Sequence, residues 1–335
     1  MDITMKTDKK INFSLDVLDF NIENEIDSIT SRLKEILRTK LNRRGLVVAL
    51  SGGIDSSVSA ALSVRAIGPQ KVLGLLLPET DSSSESVTRG RLLAETLGID
   101  YIITDIAPTL EAIGCYKWRD DAIRNVFSDY DSDWKNKIII RGGIEGQVNH
   151  FYLVVQKPDG EVLEKRLPLK EYLQIVAATN FKQRIRKTLE YFHADRLNYA
   201  VVGTPNRLEY DQGFFVKNGD GSADVKPIAH LYKTQVYELA KFMNLPEEIC
   251  TAKPTTDTYS LQQGQDEFYF SLPYDKMDLA LWAHNHGISN HELAKVLNIQ
   301  PDDASYIYKD IKAKRKTTRY LHEKGVLIND VPEIK

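Results

Sequence analysis

Along this chain the apolar positions change period several times, and each change marks an element. Ile22, Ile26, Ile29, Leu33, Ile36 and Leu37 recur at three- and four-residue steps, the spacing of an amphipathic helix over 22–41, with a helix start at 19–24. A basic cluster at 40–45 closes it. The run LVVAL at 46–50 has no polar interruption, as in a strand covered on both faces within a parallel sheet. Gly52 and Gly53 follow at once, then a helical stretch at 56–67. KVLGLLL at 71–77 is a second buried strand, followed by a Ser-rich loop, a helix near 86–97 and a strand at 100–104. This alternation predicts an α/β fold, a doubly wound parallel sheet that binds ligands outside the carboxyl ends of its strands.

The rhythm breaks at 115–178, which reads as an insertion. It holds an aromatic and acidic segment with Trp118, Tyr130 and Trp134. Two strand-like runs in 150–167 then flank Lys157-Pro158-Asp159-Gly160, a strong turn signal, so the insertion contains a β-hairpin. The α/β pattern resumes with a helix near 180–193, a buried strand at 198–203 and a helix at 233–243. A Thr- and Gln-rich stretch at 254–265 has no periodicity and reads as a long loop. Residues 274–323 read as a helical C-terminal region, including 291–297 and the basic stretch 308–322. The expectation is one domain over 1–335 carrying the 115–178 insertion.

Composition narrows the function classes. Of 335 residues 42% are hydrophobic and 27% charged, and 44 Lys+Arg against 47 Asp+Glu leave a net charge of -3. This balance suits a soluble globular chain and argues against nucleic acid as the main partner. No stretch approaches the ~20 apolar residues that cross a bilayer, so no membrane insertion is expected. The two cysteines, Cys115 and Cys250, make no C-x-x-C, which removes a disulfide framework, a structural zinc and an iron–sulfur cluster and fits a cytoplasmic location. The seven histidines show no metal-binding spacing, and His284 and His286 read as surface or helix-end residues. No Ser-His-Asp or Cys-His arrangement supports a protein nucleophile.

The segment ALSGGIDSSV, 49–58, carries the chemistry. It sits between a buried strand and a helix, where Gly52 and Gly53 let backbone N–H groups approach a phosphate and the hydroxyls of Ser51, Ser56 and Ser57 add donors at the positive helix end. It is not a Walker loop, because no lysine follows the glycines. Asp55 stands there instead, an acid that makes sense as a magnesium ligand beside a nucleotide. Glu209, just beyond the strand ending at Gly203, can face Asp55 across the crevice and complete the metal site. Lys217 and Lys233 supply point charges for phosphates, while Thr204 and Thr255 offer hydroxyls at loop starts.

SGGIDSS resembles the pyrophosphate-binding loop of the N-type ATP pyrophosphatases, which split ATP while adenylating a carboxylate or carbonyl. GTPNRLE at 203–209, GFFVKNGDGSAD at 213–224, LYK at 231–233 and KPTTD at 253–257 then resemble, in order and spacing, the ammonia-dependent NAD synthetases. The likeness covers roughly 15–110 and 178–322 and leaves the insertion unmatched. It implies an adenine nucleotide alpha hydrolase-like fold and ATP contacts at Ser51, Gly52, Gly53, Ile54, Asp55, Ser56, Ser57, Thr204, Lys233 and Thr255. It also implies magnesium on Asp55 and Glu209, and substrate contacts at Arg184, Lys217, Asp224 and Lys314. The implied reaction joins deamido-NAD and ammonia through an acyl-adenylate to give NAD, AMP and pyrophosphate, with Lys233 stabilising charge, in a homodimer.

The chain also departs from the family pattern. An acidic run expected after Asp266-Glu267 is aromatic here, Phe268-Tyr269-Phe270, and Ala313-Lys314-Arg315 stands where His-Lys-Arg is usual. Three alternatives therefore stay open: the same chemistry on another carboxylate such as an acidic sugar, a tRNA-modifying pyrophosphatase, and a non-catalytic nucleotide-binding regulator. The missing cysteine pair and the net charge oppose the second. Intact Asp55, Glu209 and Lys233 oppose the third. Free ammonia is the expected nitrogen source, because no amidase domain with a catalytic cysteine is recognisable; a separate glutaminase could dock.

Overall fold

A computed structural model describes residues 13–141, 150–252, 259–261, 264, 269 and 272–332. Its strands are β1 (Leu46–Ala49), β2 (Val72–Leu76), β3 (Asp100–Ile103), β4 (Lys135–Arg141), β5 (His150–Gln156), β6 (Val162–Arg166) and β7 (Ala200–Val202). Its helices are α1 (Ile22–Glu35), α2 (Ile54–Ile67), α3 (Ser84–Leu97), α4 (Ala107–Ile113), α5 (Cys115–Arg124), α6 (Leu169–Leu197) and α7 (Arg207–Gln212). They continue with α8 (Lys233–Phe242), α9 (Glu247–Cys250), α10 (Tyr274–Asn285), α11 (Asn290–Leu297) and α12 (Pro301–His322).

The main sheet runs β3-β2-β1-β7 with parallel pairing throughout. Val47 and Val48 of β1 have no exposed surface, as the uninterrupted apolar run predicts for a strand covered by helices on both faces. β1 leads outward to β2 on one side and has β7 on the other, so the chain parts at the carboxyl ends of β1 and β7. That parting opens the crevice in which such sheets bind ligands. α1 buries Ile26, Ile29 and Leu33 against this core and starts at Asn21, whose side chain accepts from the Asn24 N–H at 2.8 Å. It continues as a wider π-helical segment, Ile36–Leu41, up to the basic cluster.

β4, β5 and β6 form a separate antiparallel sheet, and the β5–β6 hairpin turns at 157–160 as its Pro-Asp-Gly signal predicts. The structure adds two elements to the sequence reading of this region: β4, paired with β5 along its whole length, and α5. A small core of Ile123, Phe127, Ile138, Leu153 and Ile175 lies between this sheet, α5 and α6.

The larger difference concerns α6, which begins at Leu169 rather than near 180 and runs unbroken for 29 residues. Its two halves bury different sides. Ala194 and Leu189 pack on the parallel sheet, whereas Ile175 and Val176 pack on α5 and the antiparallel sheet. No single apolar stripe runs its length, which hides the first half from a periodicity argument. Arg186 Nε donates to the Leu77 carbonyl at 3.1 Å, so that level of α6 lies at the carboxyl end of β2 and the earlier turns project past the sheet.

A buried ionic cluster ties α5 to the loop after β2. Lys182 Nζ lies 3.1 Å from Glu79 and 2.5 Å from Asp81, Arg119 bridges Asp81 and Asp120, and the Tyr116 hydroxyl donates to Glu79 at 2.8 Å. Met277, Leu281, Leu293, Ile307 and Ile311 form the core of the C-terminal helices, which also covers Leu208 of α7. Among the described residues no helix is long and apolar enough to cross a membrane.

Candidate active site

The loop between β1 and α2 depends on Gly52. Its φ is +76°, and a Cβ there would stand 2.4 Å from the Ser86 carbonyl oxygen. Only glycine fits. Arg89 Nε donates to the Gly52 carbonyl at 3.1 Å and fixes the loop from α3. The Ser56 and Ser57 hydroxyls donate to the Gly53 carbonyl at 3.0 and 2.8 Å, while Gly53 itself caps α2 without a side-chain acceptor. The first-turn N–H groups of α2 thus point at the crevice with no side chain over them, the arrangement that receives an oxyanion.

Opposite this loop, α7 opens with a capping box. Asn206 Oδ1 accepts from the Glu209 N–H at 3.2 Å, and Glu209 Oε2 accepts from the Asn206 N–H at 3.1 Å. Asn206 also donates through Nδ2 to Asp55 at 3.2 Å, which joins the two sides of the parting. Lys233, the first residue of α8, is 1% exposed and ion-pairs with Asp55. Burial opposes its charge, but the carboxylates of Asp55 and Glu209 outweigh that and hold its pKa above the ordinary lysine value. Burial and the neighbouring Asp55 push Glu209 up to about 8. Two carboxyl groups thus share one buried ammonium, and Glu209 keeps a proton at neutral pH that a divalent cation would displace.

Asp55 and Glu209 offer two carboxylates to the crevice, and among the described residues no third Asp, Glu, His or Cys completes a metal cluster with them. This donor set suits a magnesium ion that takes its remaining oxygens from phosphates and water, as magnesium commonly does.

Ser51, Gly52, Gly53, Ile54, Asp55, Ser56, Thr204, Glu209 and Lys233 line one cavity of about 790 Å³ together with Arg184, Lys217 and Lys314. Ser57 is buried behind the loop. Arg184 Nε donates to the Lys217 carbonyl at 3.2 Å. Lys217 Nζ donates to the Tyr320 and Glu323 carbonyls at 2.7 and 2.8 Å and so holds the end of α12 over the cavity. Lys314 donates to the Tyr269 carbonyl at 2.5 Å and to Asp310 at 2.6 Å. Asp224 differs from the rest: one oxygen accepts from the Val201 N–H at 2.7 Å and the other from the Tyr191 hydroxyl at 3.5 Å, away from the cavity lining. Thr255, Phe268 and Phe270 lie outside the described residues, while Tyr269 and Ala313 line the cavity.

Sequence reasoning singled out neither Asn206 nor the insertion residues Ile140 and Phe151, which also line the cavity. Asn206 was legible as the cap before Glu209. The other two had no signal, because their place depends on a sheet whose first strand the periodicity does not mark.

A family model described as NAD synthase matches residues 25–129 and 155–319 and passes over 130–154. An NH(3)-dependent NAD(+) synthetase of Rhizobium meliloti (strain 1021) is 55% identical over 97% of this chain and 98% of its own length. One from Thermotoga neapolitana is 37% identical over 82% of this chain and 89% of its own. Among solved structures, an NH3-dependent NAD synthetase from Campylobacter jejuni superposes with a TM-score of 0.60 at 22% identity, covering 92% of this chain and all of that one, a likeness of fold.

Proposed function

The chain belongs to the NAD synthase family, and from that premise we propose how its own residues carry the ATP-dependent amidation of deamido-NAD with ammonia to NAD. It is an enzyme of the ligase class. The nicotinate carboxylate attacks the α-phosphorus of ATP, and the bond to the bridging oxygen breaks, releasing pyrophosphate. Ammonia then adds to the acyl carbon, AMP leaves with the C–O bond electrons, and one proton is lost. The relatives' shared name favours deamido-NAD over an acidic sugar or another carboxylate.

Departing pyrophosphate gains charge, and the α2 N–H groups with the Ser51 and Ser56 hydroxyls meet it. Lys233 supplies a buried ammonium at the same place, where the low dielectric strengthens it. Its ion pair with Asp55 fixes the ammonium before ATP arrives. Thr204 and Thr255 complete the ATP contacts, and Arg184, Lys217, Asp224 and Lys314 serve the dinucleotide, Asp224 through the strand it braces. Magnesium held by Asp55 and Glu209 would neutralise phosphate charge when bound. No residue acts as nucleophile.

We also place the enzyme in the cytoplasm as a homodimer, with free ammonia as nitrogen source and a separate glutaminase as an optional partner. The carrying observation is the convergence of Asp55, Glu209 and Lys233 beside the open α2 terminus. Incubation with ATP, magnesium, ammonium and deamido-NAD should yield NAD and pyrophosphate in equal amounts, and Asp55→Ala should abolish both. Pyrophosphate release that ignores deamido-NAD would sink the assignment.

A further inference from the structure

One wall of the cavity has no part in the chemistry above. Ile140 of β4, Phe151 of β5, and Tyr172 and Val176 of α6 line it, and none carries a charge. Ile140 and Phe151 are paired across the β4–β5 ladder, so the insertion sheet presents both on one face of adjoining strands. Phe151 stacks on Tyr172 with ring centroids 4.0 Å apart and planes 21° from parallel. All four side chains are half-buried and open in front to the cavity, and Phe151, Tyr172 and Val176 pack behind on the small core.

The wall's place along α6 says what it would meet. Tyr172, Val176, Thr179, Asn180, Gln183 and Arg184 line the cavity at helical spacing, so one face of a single helix runs from the wall to the phosphate end. Gln183 and Arg186 mark the level of the strand ends, since both also line the smaller cavity there with Ser51 and Leu77. Tyr172 lies eleven residues before Gln183, which is roughly 17 Å along a helix axis. A substrate whose carboxylate reaches the α-phosphate at Asp55 and Lys233 must extend by that length to touch the wall. A mononucleotide is too short; an extended dinucleotide reaches.

We propose that Phe151 and Tyr172, backed by Ile140 and Val176, form a stacking platform for the adenine ring at the distal end of deamido-NAD, and that the insertion thereby contributes to substrate recognition. Every base has a π-face that stacks on an aromatic side chain without needing a hydrogen-bond code. The reading rests on the amidation of deamido-NAD set out above. Ile140 and Phe151 both fall within 130–154, the stretch that the family model passes over, so this half of the platform belongs to the insertion rather than to the common fold.

The test compares KM values in the full-length enzyme. Phe151→Leu keeps apolar bulk but removes the π-face, and Phe151→Trp restores one; Tyr172→Leu repeats the comparison from the helix side. The Leu variants should raise KM for deamido-NAD ~5- to 50-fold, the size expected for one lost base stack, with KM for ATP within about twofold. Phe151→Trp should return it close to the wild-type value. An unchanged KM for deamido-NAD in both Leu variants overturns the proposal, as does a rise confined to KM for ATP, which would give the wall to the other nucleotide. A general loss of folding would move both KM values or the melting temperature and would spare neither substrate. Failure of the underlying reaction is distinguishable, because the unsubstituted enzyme would then make no NAD from deamido-NAD.

Discussion

Asp278 of α10 holds Thr234 of α8 through one carboxylate oxygen, which accepts from the Thr234 N–H at 2.8 Å and from its hydroxyl at 2.9 Å. Thr234 follows Lys233, so an acid on the C-terminal helices sets the first turn of α8 and the direction of the ammonium facing Asp55. Asp278 has no exposed surface. Burial pushes it up to about 7, against the opposing pull of the Thr234 hydrogen bonds.

That shift has a definite sign. The folded pKa lies above the unfolded one, so between about pH 4 and pH 7 the folded chain keeps a proton that the unfolded chain releases, and this group's contribution falls as pH rises. Asp278→Asn keeps an acceptor for Thr234 but cannot ionise. Urea titrations should show the variant gaining on the wild type across that window by at least ~1 kcal/mol. A constant difference at every pH would refute the role.

Lys233→Met should remove the buried ammonium that pairs with Asp55 and lower the rate of pyrophosphate release by ~100-fold or more, the scale for losing one preorganised charge at a developing anion. Arginine should not rescue it, because the site is closed around a compact ammonium 1% exposed. Stopped assays of pyrophosphate for the three proteins decide this; a Lys233→Arg enzyme near wild-type rate would contradict it.

Gly52→Ala should fail at two levels, since the added Cβ meets the Ser86 carbonyl oxygen at 2.4 Å and φ is +76°. The strain should cost ~1–3 kcal/mol and displace the loop. Calorimetry should find ATP binding weakened by more than tenfold, whereas Gly98→Ala, with φ +63° but open space around the new Cβ, should bind ATP normally. Equal binding by both variants would show that the close approach to Ser86 does not matter.

Lys182→Met should take from Glu79 the ammonium it pairs with in a buried cluster and lower stability by ~3–5 kcal/mol. Adding Glu79→Gln should recover part of that loss, because the uncompensated charge is then gone. Chemical denaturation of the single and double variants reads this directly, and a double variant less stable than the single would run against it.

How far the fold was legible follows from which forces act locally. β1, β2 and α2 are marked by uninterrupted apolar runs and a glycine pair, signals that sit within ten residues. The loop 51–57 was legible for the same reason, and Glu209 because it follows a strand end. The first half of α6 was not, because Ile175 and Leu189 serve different cores on different sides of one helix. β4 was hidden too: its half-buried positions become informative only once β5 is known to be beside it. Lys182 and Glu79 lie far apart in the chain, and no local pattern announces that each will be buried against the other.

The unbroken run of α6 makes the phosphate end and the far wall of the cavity parts of a single rigid body. A ligand that spans them therefore freezes no relative motion between two independent pieces, and the ordering entropy was spent once, when the chain folded. The helix works as a fixed-length gauge. Length selection then needs no moving part, since a molecule too short for it forgoes one set of contacts and nothing slides inward to meet it.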